Sequence, residues 1–216
     1  MEADADGRAM IDIHALLAGL SRQRPLFHSE ADFQHAFAWE LHLQWPDATV
    51  RLERPIQTGL GLLHVDLLAD LGNALLAVEL KYKTRRVETT LGTERFHLQN
   101  HGAQPVSRYA FLKDIARLES LSATPAANRW AVLLTNDSAY WSKPGKADGT
   151  SASFSLTEGG ACSGVLEWGA ATSAGTKGRS ESPIKLAGQY RFAWRDYATV
   201  EAARDARFRY LAVEVR

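Results

Sequence analysis

A single cysteine, Cys162, stands among 216 residues, which excludes an internal disulfide and any cysteine-based zinc cluster. No apolar run approaches the roughly 18 residues that a membrane-spanning helix needs. The opening, MEADADGRAM, is acidic and lacks the basic start of a secretory signal. These absences predict a cytoplasmic protein without a membrane partner. Net charge is also missing, since 25 basic side chains cancel 25 acidic ones. The cancellation is uneven: residues 1–80 carry 12 acidic and 5 basic side chains, leaving 13 and 20 for the remainder. The positive excess places any nucleic-acid partner along the later segments. With 45% hydrophobic residues the chain can bury a full core, and it reads as one domain over 1–216.

What is present centres on 62–83, LLHVDLLADLGNALLAVELKYK. Two apolar runs flank Gly72-Asn73, a dipeptide that favours a two-residue hairpin turn. With the turn there, opposed residues have numbers summing to 145, so Asp66 faces Glu79 and His64 faces Lys81. Strand side chains alternate faces. One face then carries Leu63, Val65, Leu67, Ala69, Leu76, Val78, Leu80 and Tyr82, and the other carries His64, Asp66, Glu79, Lys81 and Lys83. Like charges set directly opposite destabilise a sheet, and hard divalent cations take carboxylate oxygens. Mg²⁺ (or Mn²⁺) between Asp66 and Glu79, with Lys81 beside it, resolves the repulsion. A solvated Glu-Lys pair on a half-exposed strand is the plainer alternative.

Upstream, Ser29-Glu30-Ala31-Asp32 is a capping-box-like helix start. Phe33, Phe37, Glu40, Leu41 and Gln44 follow at helical spacing, and Trp45-Pro46 ends the element. Glu40 shares the phenylalanine stripe, and a buried carboxylate wants a partner, so it is expected at the Asp66 and Glu79 cluster. A short amphipathic helix over 10–20 precedes it. Thr49–Ile56 reads as a strand completing a three-stranded meander. Lys83, Arg85 and Arg86 form a basic run as the third strand ends. Thr89–Gly102 has no clear period and reads as a mobile loop; His97 and His101 within it have helical zinc spacing without the accompanying Glu. Gln104-Pro105 opens a helix with Phe111, Leu112, Ile115 and Leu118 buried, and Lys113, Asp114, Arg117 and Glu119 outside. Trp130–Thr135 suits a buried parallel strand. Beyond it, short strands are expected at 154–156, 165–168, 190–195 and 208–215.

Asp66, twelve intervening residues and Glu79-Leu80-Lys81, set in apolar strands, resemble the PD-(D/E)XK nuclease superfamily, with its restriction-endonuclease-like fold. Val65 stands where the family name has proline. The order helix, three strands, helix, strand agrees with that core, so the resemblance implies an α/β fold with the nuclease-like core at 25–136 and a β-rich C-terminal extension, 137–216, packed on it. It implies that Asp66 and Glu79, with the Leu80 carbonyl and Glu40, ligate the metal, and that Lys81 assists the attacking water or the transition state. Lys83, Arg85, Arg86, Gln104 and Arg108, with Tyr109, become candidates for contacting a nucleic-acid backbone. The implied activity is phosphodiester hydrolysis, most simply by a DNA endonuclease, and a homodimer is compatible with it. The alternative is a non-catalytic nucleic-acid-binding or protein-interaction module that keeps the fold.

Overall fold

The computed structural model describes residues 11–58, 61–121, 127–143, 149–173, 182–200 and 206–216. Asp12 starts the first helix, α1 (Ile13–Gln23), by accepting the His14 N–H at 2.8 Å and the Ala15 N–H at 3.0 Å. Met10, where sequence periodicity begins this helix, lies outside the described residues. The second helix, α2 (Glu30–Gln44), is capped by the Ser29 hydroxyl, which accepts the Asp32 N–H at 3.1 Å. Three antiparallel strands follow: β1 (Thr49–Thr58), β2 (Gly61–Asp70) and β3 (Leu75–Lys83). At the β2–β3 turn Gly72 takes φ 85°, a region open to glycine, and the Asp70 carboxylate accepts its N–H at 2.9 Å.

The stretch expected to be a mobile loop is instead a hairpin, β4 (Val87–Leu91) and β5 (Glu94–Leu98). Its inward residues Val87, Phe96 and Leu98 are buried in the core, so alternation was present but in strands of only five residues. Then α3 (Gln104–Glu119) crosses over the sheet, and β6 (Ala127–Thr135) returns parallel to β3. Short elements follow, with a 3₁₀ turn at Ala152–Phe154 where a strand was expected, and a hairpin of β7 (Ala161–Leu166) and β8 (Ile184–Arg191). The expected strand over 190–195 breaks at Phe192-Ala193, which separates β8 from β9 (Trp194–Thr199). The chain ends in β10 (Arg207–Val215).

The main sheet is mixed and six-stranded, in the order β1-β2-β3-β6-β10-β9. This is a mixed α/β architecture in which the last two strands extend the sheet begun by the first three. One face buries Leu76, Val78, Leu80 and Tyr82 of β3 under α1, α2 and the β4–β5 hairpin. The other buries Ala77, Ala131, Leu133, Leu211 and Val213 under α3, β7 and β8. Each fully buried Leu, Val or Phe contributes about 1.5–3 kcal/mol, so a polar group at either interface must justify its place. Among the described residues no helix is long and apolar enough to cross a membrane.

Candidate active site

The 145 register holds from Asp70↔Leu75 to Leu67↔Val78 and stops there. Asp66 and Glu79 are not a rung of the ladder, contrary to the sequence expectation. The reason lies in β1, where Glu53 adopts a left-handed φ of 50°, and the paired residues pass from Leu52↔Leu67 to Arg54↔Val65 with no rung between. Both strands change faces across this point. Val50, Leu52, Leu67 and Ala69 pack with α1 and α2, whereas Ile56, Leu63 and Val65 pack with α3. The expected single apolar face of β2 is therefore divided. The divergence frees Asp66 from the ladder, and its Oδ2 accepts the Leu80 N–H at 2.7 Å. Asp66 is thus held against β3, between the residues flanking Leu80.

Glu79 and Lys81 lie on the α3 side, and α3 brings two charges to them. Lys81 Nζ is 3.1 Å from Asp114 Oδ2 and 3.8 Å from Asp66 Oδ2. Arg117 Nη1 is 2.9 Å from Asp114 Oδ1. Its Nη2 donates to the His64 carbonyl and lies 3.3 Å from Glu79 Oε1. That last contact lacks hydrogen-bond geometry, and neither Glu79 oxygen accepts a hydrogen bond, although the side chain is only 1% exposed. Burial, then the charges of Asp114 and Asp66, push the Glu79 carboxyl up to about 9 against the attraction of Arg117 and Lys81. Burial also raises Asp114, opposed by Lys81 and Arg117. For Lys81 burial works against the charge, but Asp114, Asp66 and Glu30 outweigh it and hold the ammonium above its ordinary range. Lys81 is a fixed cation at neutral pH.

The other candidates are dispersed. Glu40 is buried as expected, yet its carboxylate accepts from Gln23 Nε2 at 3.0 Å and Gln44 Nε2 at 2.8 Å, in the layer of α1 and α2. The stripe logic was right about burial and wrong about destination, because α2 covers the face opposite Glu79. Lys83 pairs with Glu30 Oε2 at 2.9 Å, an oxygen that also accepts the Tyr82 N–H. Arg85 is 3.1 Å from Asp137 Oδ1, and Gln104 donates to Asp137 Oδ2 at 2.8 Å, so this pair is drawn together at the end of β6. Arg86 is exposed and pairs with Glu88. Arg108 lies on the first half of α3, away from Glu79 and Asp66, neither of which it is paired with. Tyr109 is a core residue whose hydroxyl donates to the Ser182 carbonyl at 2.9 Å. His101 Nδ1 lies 3.0 Å from the Thr84 N, while exposed His97 faces Glu88 in the β4–β5 hairpin.

Sequence reading missed Asp114, Arg117 and Glu30. The signal for Asp114 was there: Phe111, Asp114 and Leu118 fall at i, i+3 and i+7, the spacing that marked Glu40. Arg117 follows from it as the i+3 partner.

No protein-family model, characterised protein or solved structure matches this chain. Fold and site alone define its class, a mixed α/β protein with three buried or half-buried carboxylates and two cations at the opening of a sheet. Among the described residues no three His, Cys, Asp or Glu side chains converge closely enough to hold a metal ion unaided. The donors do fit a hard divalent cation in another respect. Glu79 Oε2 is buried, without a partner, and beside Asp66, which is the environment a Mg²⁺ ion bound through two carboxylates and waters would relieve.

Proposed function

We propose that the chain is a divalent-metal-dependent phosphodiesterase on a restriction-endonuclease-like core, most simply a DNA endonuclease. The observation that carries this reading is the divergence of β2 from β3, which swings Asp66 onto the Leu80 N–H and sets it beside Glu79 and Lys81. Asp66 and Glu79 would hold Mg²⁺ or Mn²⁺, which when bound acidifies water and polarises a phosphoryl oxygen. Asp66 is oriented for this by one backbone N–H. Lys81 is oriented by Asp114, so its charge is preorganised where negative charge grows on a phosphate in flight. Glu40 has no part in this scheme.

The test is incubation of purified protein with plasmid, single-stranded DNA and RNA, each with Mg²⁺, Mn²⁺ or EDTA. Metal-dependent cleavage is expected, and Lys81→Ala should lower it by roughly two orders of magnitude or more while nucleic-acid affinity changes by less than about threefold. A second reading, a binding module without turnover, draws on the pairing of Lys81 and Arg117 with the carboxylates, which leaves the cluster nearly neutral on its own. Binding without cleavage under every metal would select it and refute the nuclease.

A further inference from the structure

The cluster carries its own cation at the place where a metal is expected. Arg117 reaches acceptors on three elements: Asp114 Oδ1 on its own helix, Glu79 Oε1 on β3 and the His64 carbonyl on β2. The fit is uneven. The Asp114 contact is a close hydrogen bond, whereas the Glu79 contact is an ion pair without hydrogen-bond geometry, and Glu79 Oε2 is left with no partner although the side chain is 99% buried. Arg117 sets a positive charge beside Glu79 without satisfying its oxygens. An oxygen-seeking divalent ion would do both.

Charge counting shows that the two cations compete. Asp66, Glu79 and Asp114 carry three negative charges when ionised, and Lys81 with Arg117 carries two positive. A divalent ion added to this set leaves one positive charge in excess within a buried site, where like charges a few ångströms apart repel by several kcal/mol. Departure of Arg117 restores neutrality. There is also somewhere for it to go. Arg117, 31% exposed, lines a cleft of about 300 Å³ together with Lys113, Lys185, Leu62 and Tyr109. The guanidinium thus stands between the buried carboxylates and an open basic cleft.

We propose that Arg117 is an exchangeable internal counterion: it holds Glu79 in the metal-free protein, and a divalent cation binding at Glu79 and Asp66 displaces it into the cleft beside Lys113 and Lys185. The inference rests on the metal reading above and adds its regulation. Arg117 sets the affinity threshold for the ion, keeping the cluster closed at low metal. On release it presents a third positive charge along a cleft suited to an anionic strand.

The test is calorimetric titration of Mn²⁺ into the full chain without nucleic acid, at pH 8, for wild type, Arg117→Gln, Arg117→Lys and Asp66→Asn, with circular dichroism to check folding. Removing the competing charge should tighten Mn²⁺ binding by about tenfold, corresponding to about 1.4 kcal/mol. Arg117→Lys, which keeps the charge but cannot span Asp114 and Glu79 together, should shift affinity the same way by a smaller factor. It decides the matter if Arg117→Gln does not fold. Unchanged or weaker binding by a folded Arg117 variant, with wild-type binding still dependent on Asp66, would overturn the exchange and leave the metal reading in place. Wild-type binding that is absent, or that survives Asp66→Asn, would instead overturn the metal reading itself.

Discussion

Glu79→Gln should change the stability of the metal-free protein in a pH-dependent way whose sign is fixed by the structure. Glu79 is enclosed between β3 and α3, faces Asp114 and Asp66 as well as Arg117 and Lys81, and has its carboxyl raised from 4.5 to about 9, chiefly by burial. An acid with a higher pKa folded than unfolded binds more protons in the folded state, so its stability contribution is complete below about 4.5 and lost as pH rises towards about 9. At about 1.36 kcal/mol per unit, the loss between pH 5 and 8 has an upper bound of about 4 kcal/mol. Local relaxation in a medium of moderate effective dielectric brings the expected figure to about 2 kcal/mol. Glutamine resembles the protonated acid in shape and does not titrate. In EDTA, urea denaturation should therefore show Glu79→Gln gaining on the wild type from pH 5 to pH 8 by about 2 kcal/mol. With Mg²⁺ the order should reverse, because only the wild type retains the ligand. Parallel stability profiles for the two proteins over pH 5 to 8 would show that Arg117 and Lys81 already compensate the charge, and would refute the argument from burial.

Two further outcomes follow from the placement of the carboxylates. Millimolar Mg²⁺ at about ten times its Kd should stabilise the wild type by about 1.4 kcal/mol, or roughly 3–6 °C in Tm for a chain of this size. Asp66→Asn, which can still accept the Leu80 N–H through its amide oxygen, should abolish that rise, and an equal rise in both would place the ion elsewhere. Glu40→Ala should lower stability by about 1–3 kcal/mol, because it leaves Gln23 and Gln44 with unmatched donors between α1 and α2. The Mg²⁺-induced rise in Tm should persist in that variant, and its loss would return Glu40 to the site.

The elements that sequence reading recovered are those whose signals are local. Ser29 and Asp32 sit within one turn, Gly72 lies two residues after Asp70, and the apolar runs of β3 and β6 pair parallel over nine residues each. A turn fixes register only as far as the strands remain paired, and the 145 rule ended at Leu67↔Val78 because of a backbone event at Glu53, on a third strand. Nothing in the local pattern around Asp66 reveals that event. The β4–β5 hairpin escaped for a different reason. Two five-residue strands around Gly92-Thr93 are too short for periodicity to stand out, and their stability comes from Val87, Phe96 and Leu98 reaching the core.

Glu40 and Asp114 show why identical helical spacing gave opposite results. Each carboxylate lies on an apolar stripe, Glu40 with Phe33, Phe37 and Leu41, and Asp114 with Phe111, Ile115 and Leu118. The stripe says that the side chain is buried against the sheet; it does not say against which face. That choice belongs to the crossover connections. α2 precedes the meander and packs on the face bearing Leu76, Val78, Leu80 and Tyr82, while α3 follows β3 and covers the face bearing Ala77, Glu79 and Lys81. A right-handed crossover from β3 through a helix to parallel β6 assigns that helix to one side only. A helix acid able to meet Glu79 and Lys81 therefore had to come from α3, not α2. Its distance from Lys81, 3.1 Å, and the guanidinium that Arg117 sets on Glu79 follow from that topological constraint acting on a pair, Asp114 and Arg117, that in the sequence looks like a solvated ion pair.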